Sequence, residues 1–490
     1  MATSARSTPS DLHKATIVEL RAAMDAGRLT SAELTRHFLQ RIETYDRGGP
    51  HLNAVLEVNP EALEIAEALD REHASTGPRG SLHGIPVLLK DNICTADRLH
   101  TSAGSLAFKD VVALRDAFLV TRLREAGAVI LGKANMTEWA NFMTTGMPAG
   151  YSSRGGQVVN PYEAALSPGG SSSGSAVAVT ADLCTVAVGT ETSGSILSPA
   201  NQNSVVGIKP TVGLVSRSGI VPIAASQDTA GPLARTVADA AALLGVLAGA
   251  DPGDRATRAS RAHARPDYTA SLDPRGLEGA RVGVPRAVFF ERLSAAEMPV
   301  VAAALRALRD AGATLVDPAD IPTARAVTDF RSDVMLYEFK RGLNRYLTGL
   351  GAASPVKSLR DLIRFNEARP RETLRFGQVL LLAAQSTSGL GAPTYRVSRA
   401  EDLRLSRTEG LDPLMERERL DALVFPGWTG AAIGAKAGYP SIIVPAGYTA
   451  DGAPLGLTLL GRAWSEPSLI RLAYAFEHAT RHRRPPTSVA

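Results

Sequence analysis

The sequence predicts an α/β protein: a large, mixed, mostly parallel twisted sheet with helices on both faces. Three observations predict it. Short apolar runs alternate with helical stretches between residues 84 and 133, the same alternation returns between 280 and 318, and no internal repeat divides the chain. At 490 residues and 44% hydrophobic, the chain has enough apolar side chains for a large core.

Taken in order, residues 11–46 carry Leu, Val and Ile at helical spacing, and "PEALEIAEALDREHAS" (60–75) is a second helical stretch. "GIPVLLK" (84–90) and "GAVILGK" (127–133) read as strands, with the helix "AFLVTRLREAG" (117–127) between them. Residues 176–188 are small and apolar, a buried helix running into a strand. "ARVGVPR" (280–286), a helix around 294–311 and "ATLVDP" (313–318) repeat the unit. Residues 324–420 are mainly helical and charged, and 421–463 returns to strand-like runs. The one linker-like stretch, 250–268, reads as a long polar loop. The expected organisation is a helical segment, 1–75, packed on a single α/β/α domain, 76–490, with a mainly helical insertion at about 324–420.

Composition excludes several classes. The formal charge of +4 is spread over 53 cationic and 49 anionic residues, with one short cationic run at "RHRRPP" (481–486), so no nucleic-acid footprint is expected. Two cysteines, Cys94 and Cys184, make neither a disulfide framework nor a metal spacing, and no cofactor is expected. The start has no apolar signal region, and the most apolar stretch is interrupted by Thr180 and Asp182. A cytoplasmic protein without a membrane partner follows, acting as a monomer or homodimer on a small molecule.

Two clusters carry the chemistry, "SPGGSSSGSAVAV" (167–179) and "GTETSGSILSPA" (189–200). A flexible linker would sit in polar sequence, not beside a buried apolar segment. A phosphate-binding P-loop would need Lys after Gly174, where Ser175 stands. "GSSSG" (170–174) matches a nucleophile elbow centred on Ser172, but that triad needs a later histidine, and only His263, His478 and His482 follow, all in polar surroundings. A serine without histidine can be activated by a neutral lysine, which burial favours; arginine cannot serve, because it keeps its proton. The chain has eight lysines against 45 arginines, and Lys90, Lys133 and Lys209 each follow an apolar run. The residues favour Lys90 at the end of its strand but leave the other two open.

"GIPVLLKDNI", "SPGGSSSGSAVAV", "GTETSGSILSPA" and "GIVPIAASQDTAGPLARTVADAA" (219–241), in this order, resemble the amidase signature family. Within it, "GYSSRGGQVVNPY" and "AWSEPSLI" are similar to the bacterial peptide amidases. The likeness runs from about residue 12 to 480. It implies the amidase signature fold and a Ser-Ser-Lys triad: Ser195 as nucleophile, Ser171 as bridging serine after a cis peptide bond, and Lys90 as base. It further implies an oxyanion hole from the backbone of Thr192, Ser193, Gly194 and Ser195, with Ser172, Thr190 and Asp228 in support.

Two departures stand out. Ser193 and Leu197 occupy positions where many relatives have Gly or Asp and Arg, so a familiar buried ion pair with Glu191 is expected to be absent or rearranged. The segment 425–441 is shorter than in peptide amidase. The acyl side of the pocket is expected near 139–153, including Met143, Thr144 and Thr145, and the leaving-group side near Trp428 to Ile433. The implied activity is hydrolysis of carboxamides, with peptide C-terminal amides, aryl amides or carbamates as substrates. One alternative is an amidotransferase subunit; another, disfavoured because all three triad positions are filled, is a binding module without chemistry.

Overall fold

The computed structural model describes residues 12–489. Asp11, where the first helical segment is expected to begin, and the residues before it lie outside the described residues. The strands are β1 (Val55–Val58), β2 (Pro86–Lys90), β3 (Val129–Ala134), β4 (Tyr151–Ser152), β5 (Gly156–Gln157), β6 (Val186–Glu191), β7 (Val206–Lys209), β8 (Thr229–Ala234), β9 (Arg281–Gly283), β10 (Thr314–Val316), β11 (Ala422–Pro426), β12 (Ser441–Tyr448) and β13 (Pro454–Leu460). Eleven form one sheet in the order β1-β3-β2-β6-β8-β7-β12-β13-β11-β9-β10, and β4 pairs with β5 apart from it.

The sheet is mixed, as expected, but the parallel pairs are confined to its two flanks. β2 runs parallel to β3 and β6, and β9 to β10 and β11. The centre from β6 through β8, β7, β12 and β13 to β11 is antiparallel, as is the edge pair β1–β3. This corrects the mostly parallel expectation, and the cause is local. β7 and β8 reverse the chain direction, and the sequence hides them. β8 contains Gly231 and Pro232, residues that normally punctuate strands. Gly231 is needed because β7 passes so close that a Cβ there would overlap the Ile208 carbonyl.

The amino-terminal helices Ile17–Asp25 and Ser31–Arg41 each begin with a capping box, Thr16 with Glu19 and Thr30 with Glu33. Their buried faces, Ile17, Leu20, Leu34 and Phe38, join the main core. Arg41 fastens them to the sheet layer by donating to the carbonyls of Asp182 and Ala181. Residues 250–268 are more ordered than the loop expected there. A 3-10 turn, Arg255–Ala259, and a short helix, Ser260–His263, are held by buried Asp251, Asp254 and Thr257.

Among the described residues, the stretch between β10 and β11 contains helices and no strand, including Val334–Leu350, Leu359–Glu367, Val379–Ser386 and Pro393–Leu403. Phe339, Leu343, Leu362 and Leu381 from these helices pack with Met136, Phe142, Met143, Val221 and Ile223 in a second apolar cluster. The insertion therefore seats on the loops that leave the sheet near β3 and before β8. No helix among the described residues is long and apolar enough to cross a membrane.

Candidate active site

β2 and β6 are parallel neighbours, so the residues that end them, Lys90 and the pair Thr190 and Glu191, emerge at the same edge of the sheet. The first serine cluster runs into the helix Ser173–Thr180, which packs on these strands. The second leads from β6 to the helix Leu197–Gln202. The two clusters thus meet over one strand end, close to Lys90, which lies far from both in sequence.

Lys90 is fully buried. Its Nζ lies 2.7 Å from Ser171 Oγ, 2.9 Å from Thr190 Oγ1 and 3.2 Å from the Thr190 carbonyl oxygen. Burial lowers its pKa to about 7, against the opposing pull of Glu191 and Asp228. Lys133 and Lys209 are equally buried but do not reach the serines. Lys133 donates to the Ile93 carbonyl and Thr101 Oγ1, and Lys209 to the carbonyls of Pro210 and Tyr439. Of the three lysines that the sequence leaves open, Lys90 alone has a cluster serine as partner.

The Gly170–Ser171 peptide bond is cis. Ser172 Oγ donates to the Thr190 carbonyl and accepts from the Thr190 N–H, at 3.0 and 3.2 Å, so this serine pins the end of β6. An elbow nucleophile would need its Oγ free and a histidine beside it. Ser172 has neither, and His263 stacks on Trp464. Sequence reasoning missed Asn92, whose Nδ2 donates to Thr190 Oγ1 at 3.0 Å. Its place two residues after Lys90 was the available signal.

The second cluster forms a loop with unused donors. Among the described residues, the N–H groups of Thr192, Ser193, Gly194 and Ser195 and the Oγ of Ser195 make no hydrogen bond, whereas Ser195 O accepts from Ser172 N. Gly194 has φ +88°, and a Cβ there would stand 3.0 Å from the Trp428 ring, so only glycine fits beneath that indole. Asp228 Oδ1 accepts from Thr192 Oγ1 at 2.6 Å, and its Oδ2 accepts from the N–H groups of Ile223 and Ala224. Burial raises its pKa to about 6. The expected rearrangement at Glu191 takes a definite form. Its Oε2 accepts from the N–H groups of Ile196 and Leu197, and Leu197 is buried. The carboxylate thereby caps the N-terminus of the helix Leu197–Gln202.

The expected pocket residues divide. Trp428 is 42% exposed, beside Gly194 of the 192–195 loop. Met143 and Thr144 turn the other way. Met143 is fully buried in the second apolar cluster, with its carbonyl accepting from Leu380 and Leu381, and Thr144 Oγ1 donates to the Phe376 carbonyl. Thr145 is exposed and tied to neither. Within the expected segment Ala149 lies against Gly170, and just before it Thr137 N donates to Ser171 O. Aromatic, Met and Gly residues in a loop between predicted elements read as a pocket wall, but the insertion supplies a core for Met143 to enter.

A mixed sheet whose strand end buries a lysine against a serine-rich loop defines the amidase signature class of hydrolases. The chain belongs to this family: the model described as Amidase matches residues 33–470. It is 50% identical to native peptide amidase from Stenotrophomonas maltophilia, with 96% of this chain and 98% of that one covered and a TM-score of 0.92. It is 45% identical to a probable amidase of Arabidopsis thaliana, over 99% of this chain and 93% of that protein. It is 36% identical to a glutamyl-tRNA(Gln) amidotransferase subunit of Halorhodospira halophila, over 96% of this chain and 98% of that protein. The protein is an amidase, acting on C–N amide bonds.

Met143 supplies a test of its placement. Met143→Ala is expected to destabilise the fold by about 2–5 kcal/mol, as for a buried methionine in a packed cluster, while leaving the ranking among amide substrates unchanged. Denaturant unfolding together with a substrate panel measures both. A reordered ranking at unchanged stability would return Met143 to the pocket wall.

Proposed function

We propose that the enzyme hydrolyses carboxamides through an acyl-enzyme on Ser195, with Ser171 as proton bridge and Lys90 as base. The observation that carries this reading is the buried Lys90 amine, 2.7 Å from Ser171 Oγ. A neutral amine has two N–H groups and one lone pair. The two oxygens of Thr190 can take the two N–H groups, which leaves the lone pair facing the Ser171 hydroxyl. Lys90 then accepts the Ser171 proton as Ser171 accepts that of Ser195, and Ser195 Oγ attacks the substrate carbonyl. The negative charge that develops on the carbonyl oxygen is met by the unused N–H groups of the 192–195 loop. On collapse the proton returns through Ser171 to the leaving nitrogen, the C–N bond breaks, and water repeats the cycle to release the acid. The link between Ser171 and Ser195 closes in the substrate complex, where catalytic hydrogen bonds tighten.

Peptide C-terminal amides are the preferred substrates on this reading, supported by the likeness to peptide amidase over nearly the whole chain. Trp428, exposed over Gly194, offers an aromatic surface beside the nucleophile. Aryl amides and carbamates are the competing substrates that such a surface also suits. The amidotransferase reading rests on the likeness to the Halorhodospira protein and requires partner chains; copurification of stable partners from the native source would favour it. Hydrolysis of a panel of peptide amides, anilides and carbamates by the purified chain decides among these. Trp428→Ala is expected to change the order of preference within the panel, and uniform scaling of all rates would place the indole outside the pocket.

The base has a pH signature. Lys90 must be neutral to accept a proton, so kcat/KM is expected to rise through an apparent pKa of about 7 and level off above it. Below about 6, protonation of Asp228 steepens the fall. Lys90→Arg is expected to lose about 10²–10⁴-fold in kcat, the usual span for a lost general base. Stability follows the same shift with a definite sign. The folded state holds the lysine proton less tightly than the unfolded chain, so the Lys90 contribution to stability rises with pH from about 7 towards the ordinary lysine value of 10.5, and Lys90→Met removes that contribution. Near-normal turnover by Lys90→Arg would exclude Lys90 as the base.

The nucleophile is tested by covalent labelling. A sulfonyl fluoride is expected to modify Ser195 in the native enzyme, identified by peptide mass spectrometry, and Ser195→Ala is expected to abolish both labelling and turnover while unfolding at the same temperature. Modification of Ser172 would overturn the assignment.

A further inference from the structure

We propose that Glu338, in the helical insertion, is a positioning residue for the nucleophile loop, acting through the turn that carries Asp228. The proposal rests on the amidase reading above. Glu338 lies in the helix Val334–Leu350 and is 6% exposed. Its Oε2 accepts from Ser226 N at 2.9 Å, and its Oε1 accepts from the Tyr395 hydroxyl at 2.6 Å, a residue of the helix Pro393–Leu403. One buried carboxylate therefore ties two insertion helices to a single backbone N–H, two residues before Asp228.

The turn it grips is short and closed on itself. Asp228 N and Gln227 N both donate to the Ala224 carbonyl, and Asp228 Oδ2 accepts from Ile223 N and Ala224 N. A displacement of Ser226 therefore moves the Asp228 carboxylate, which holds Thr192 Oγ1 at 2.6 Å in the loop of unused N–H groups. The same turn is held from the sheet side. Arg217 Nη1 donates to the Ala225 carbonyl while its Nε and Nη2 bridge Asp254. The insertion helix presses on the turn as well: a Cβ at Gly342, one helical turn beyond Glu338, would meet the Pro222 ring at 3.1 Å. Arg217 and Glu338 thus grip two adjacent residues of the turn, Ala225 by its carbonyl and Ser226 by its N–H.

A structural filler at 338 would be apolar, as Phe339 and Leu343 are on the same helix. Burying a carboxylate carries a desolvation cost that is recovered only through its bonds, and those bonds go to the Asp228 turn and to Tyr395. Arg217 and Arg399 supply compensating positive charge nearby. The insertion thus sets the active-site turn as well as covering it.

The experiment measures kcat and KM for a peptide amide with Glu338→Ala, Glu338→Gln and Tyr395→Phe, each alone and combined with Thr192→Val. Glu338→Ala is expected to lower kcat about tenfold, below the 10²–10³-fold cost of losing an oxyanion donor itself, with KM changed less than about twofold. Glu338→Gln is expected to recover to within about threefold of the parent, since its carbonyl can accept from Ser226 N and its amide can donate to the Tyr395 oxygen. In the Thr192→Val background Glu338→Ala is expected to cost less than about twofold more, because the route through Thr192 is already cut. If Glu338→Ala does not fold, Tyr395→Phe decides by the same comparison, with an expected loss of about threefold that vanishes beside Thr192→Val. An active parent whose Glu338→Ala variant keeps full kcat, raises KM alone, or loses rate equally with and without Thr192→Val would overturn the proposal. A parent inactive on every amide would overturn the functional reading and this proposal with it.

Discussion

The burial of one amine without a carboxylate in hydrogen-bond reach is the constraint on which the site depends. Lys90 ends a strand buried on both faces, and desolvation pushes its proton affinity down to about neutrality. An amine in that position is tolerated only if every polar group around it is oriented to it. Thr190 supplies two oxygens from the adjacent strand, Ser172 fixes the Thr190 backbone from both sides, and Asn92 fixes its side chain. The parallel pairing of β2 with β6 is what brings the two strand ends level. Reversing either strand would separate lysine from threonine by the length of the sheet.

The other buried lysines have a lowered pKa without a cluster serine as partner. Lys209 is brought down to about 8 by the same desolvation, with Glu191 and Glu466 opposing. Its Nζ faces main-chain carbonyls, which have no proton to surrender, and it therefore braces the start of β12 through Tyr439. Lys133 likewise joins β3 to the Ile93 carbonyl. Lys133 also has a hydroxyl partner, Thr101 Oγ1, so what sets Lys90 apart is that its hydroxyl belongs to Ser171 of the first serine cluster. The chemistry lies in the partner, and the shift only makes it available.

The loop opposite is built to keep donors unspent. Backbone N–H groups in a folded core are nearly always paired. Here Glu191 takes the two that follow Ser195, Asp228 takes the hydroxyl that precedes Ser193, and the four between are left over. Leu197, which is buried and carries no charge, is compatible with this arrangement. Glu191 Oε2 accepts both N–H groups at the start of the helix Leu197–Gln202, where the helix dipole favours a carboxylate, and this holds the end of the loop.

How much of this was legible follows from the range of each contact. β2, β3, the helix at 118–125 and the helix-to-strand passage at 173–191 are written in local apolar periodicity, and the sequence shows them within a few residues. β8 was not legible, because Gly231 and Pro232 punctuate it and Gly231 answers the closeness of Ile208 in β7 and not its own propensity. Among three buried lysines the residues alone could not choose, since the choosing contact spans 81 positions from Lys90 to Ser171. Met143 escapes local reading for the same reason: its apolar side chain is answered by Leu381, a partner far along the chain. The motifs were readable because catalysis needs particular residue types in fixed local order. The site's geometry was not, because each local motif is held by residues that carry no motif of their own. Ser226 and Glu338 are the clearest case, a main-chain N–H and a carboxylate 112 residues apart whose pairing no periodicity announces.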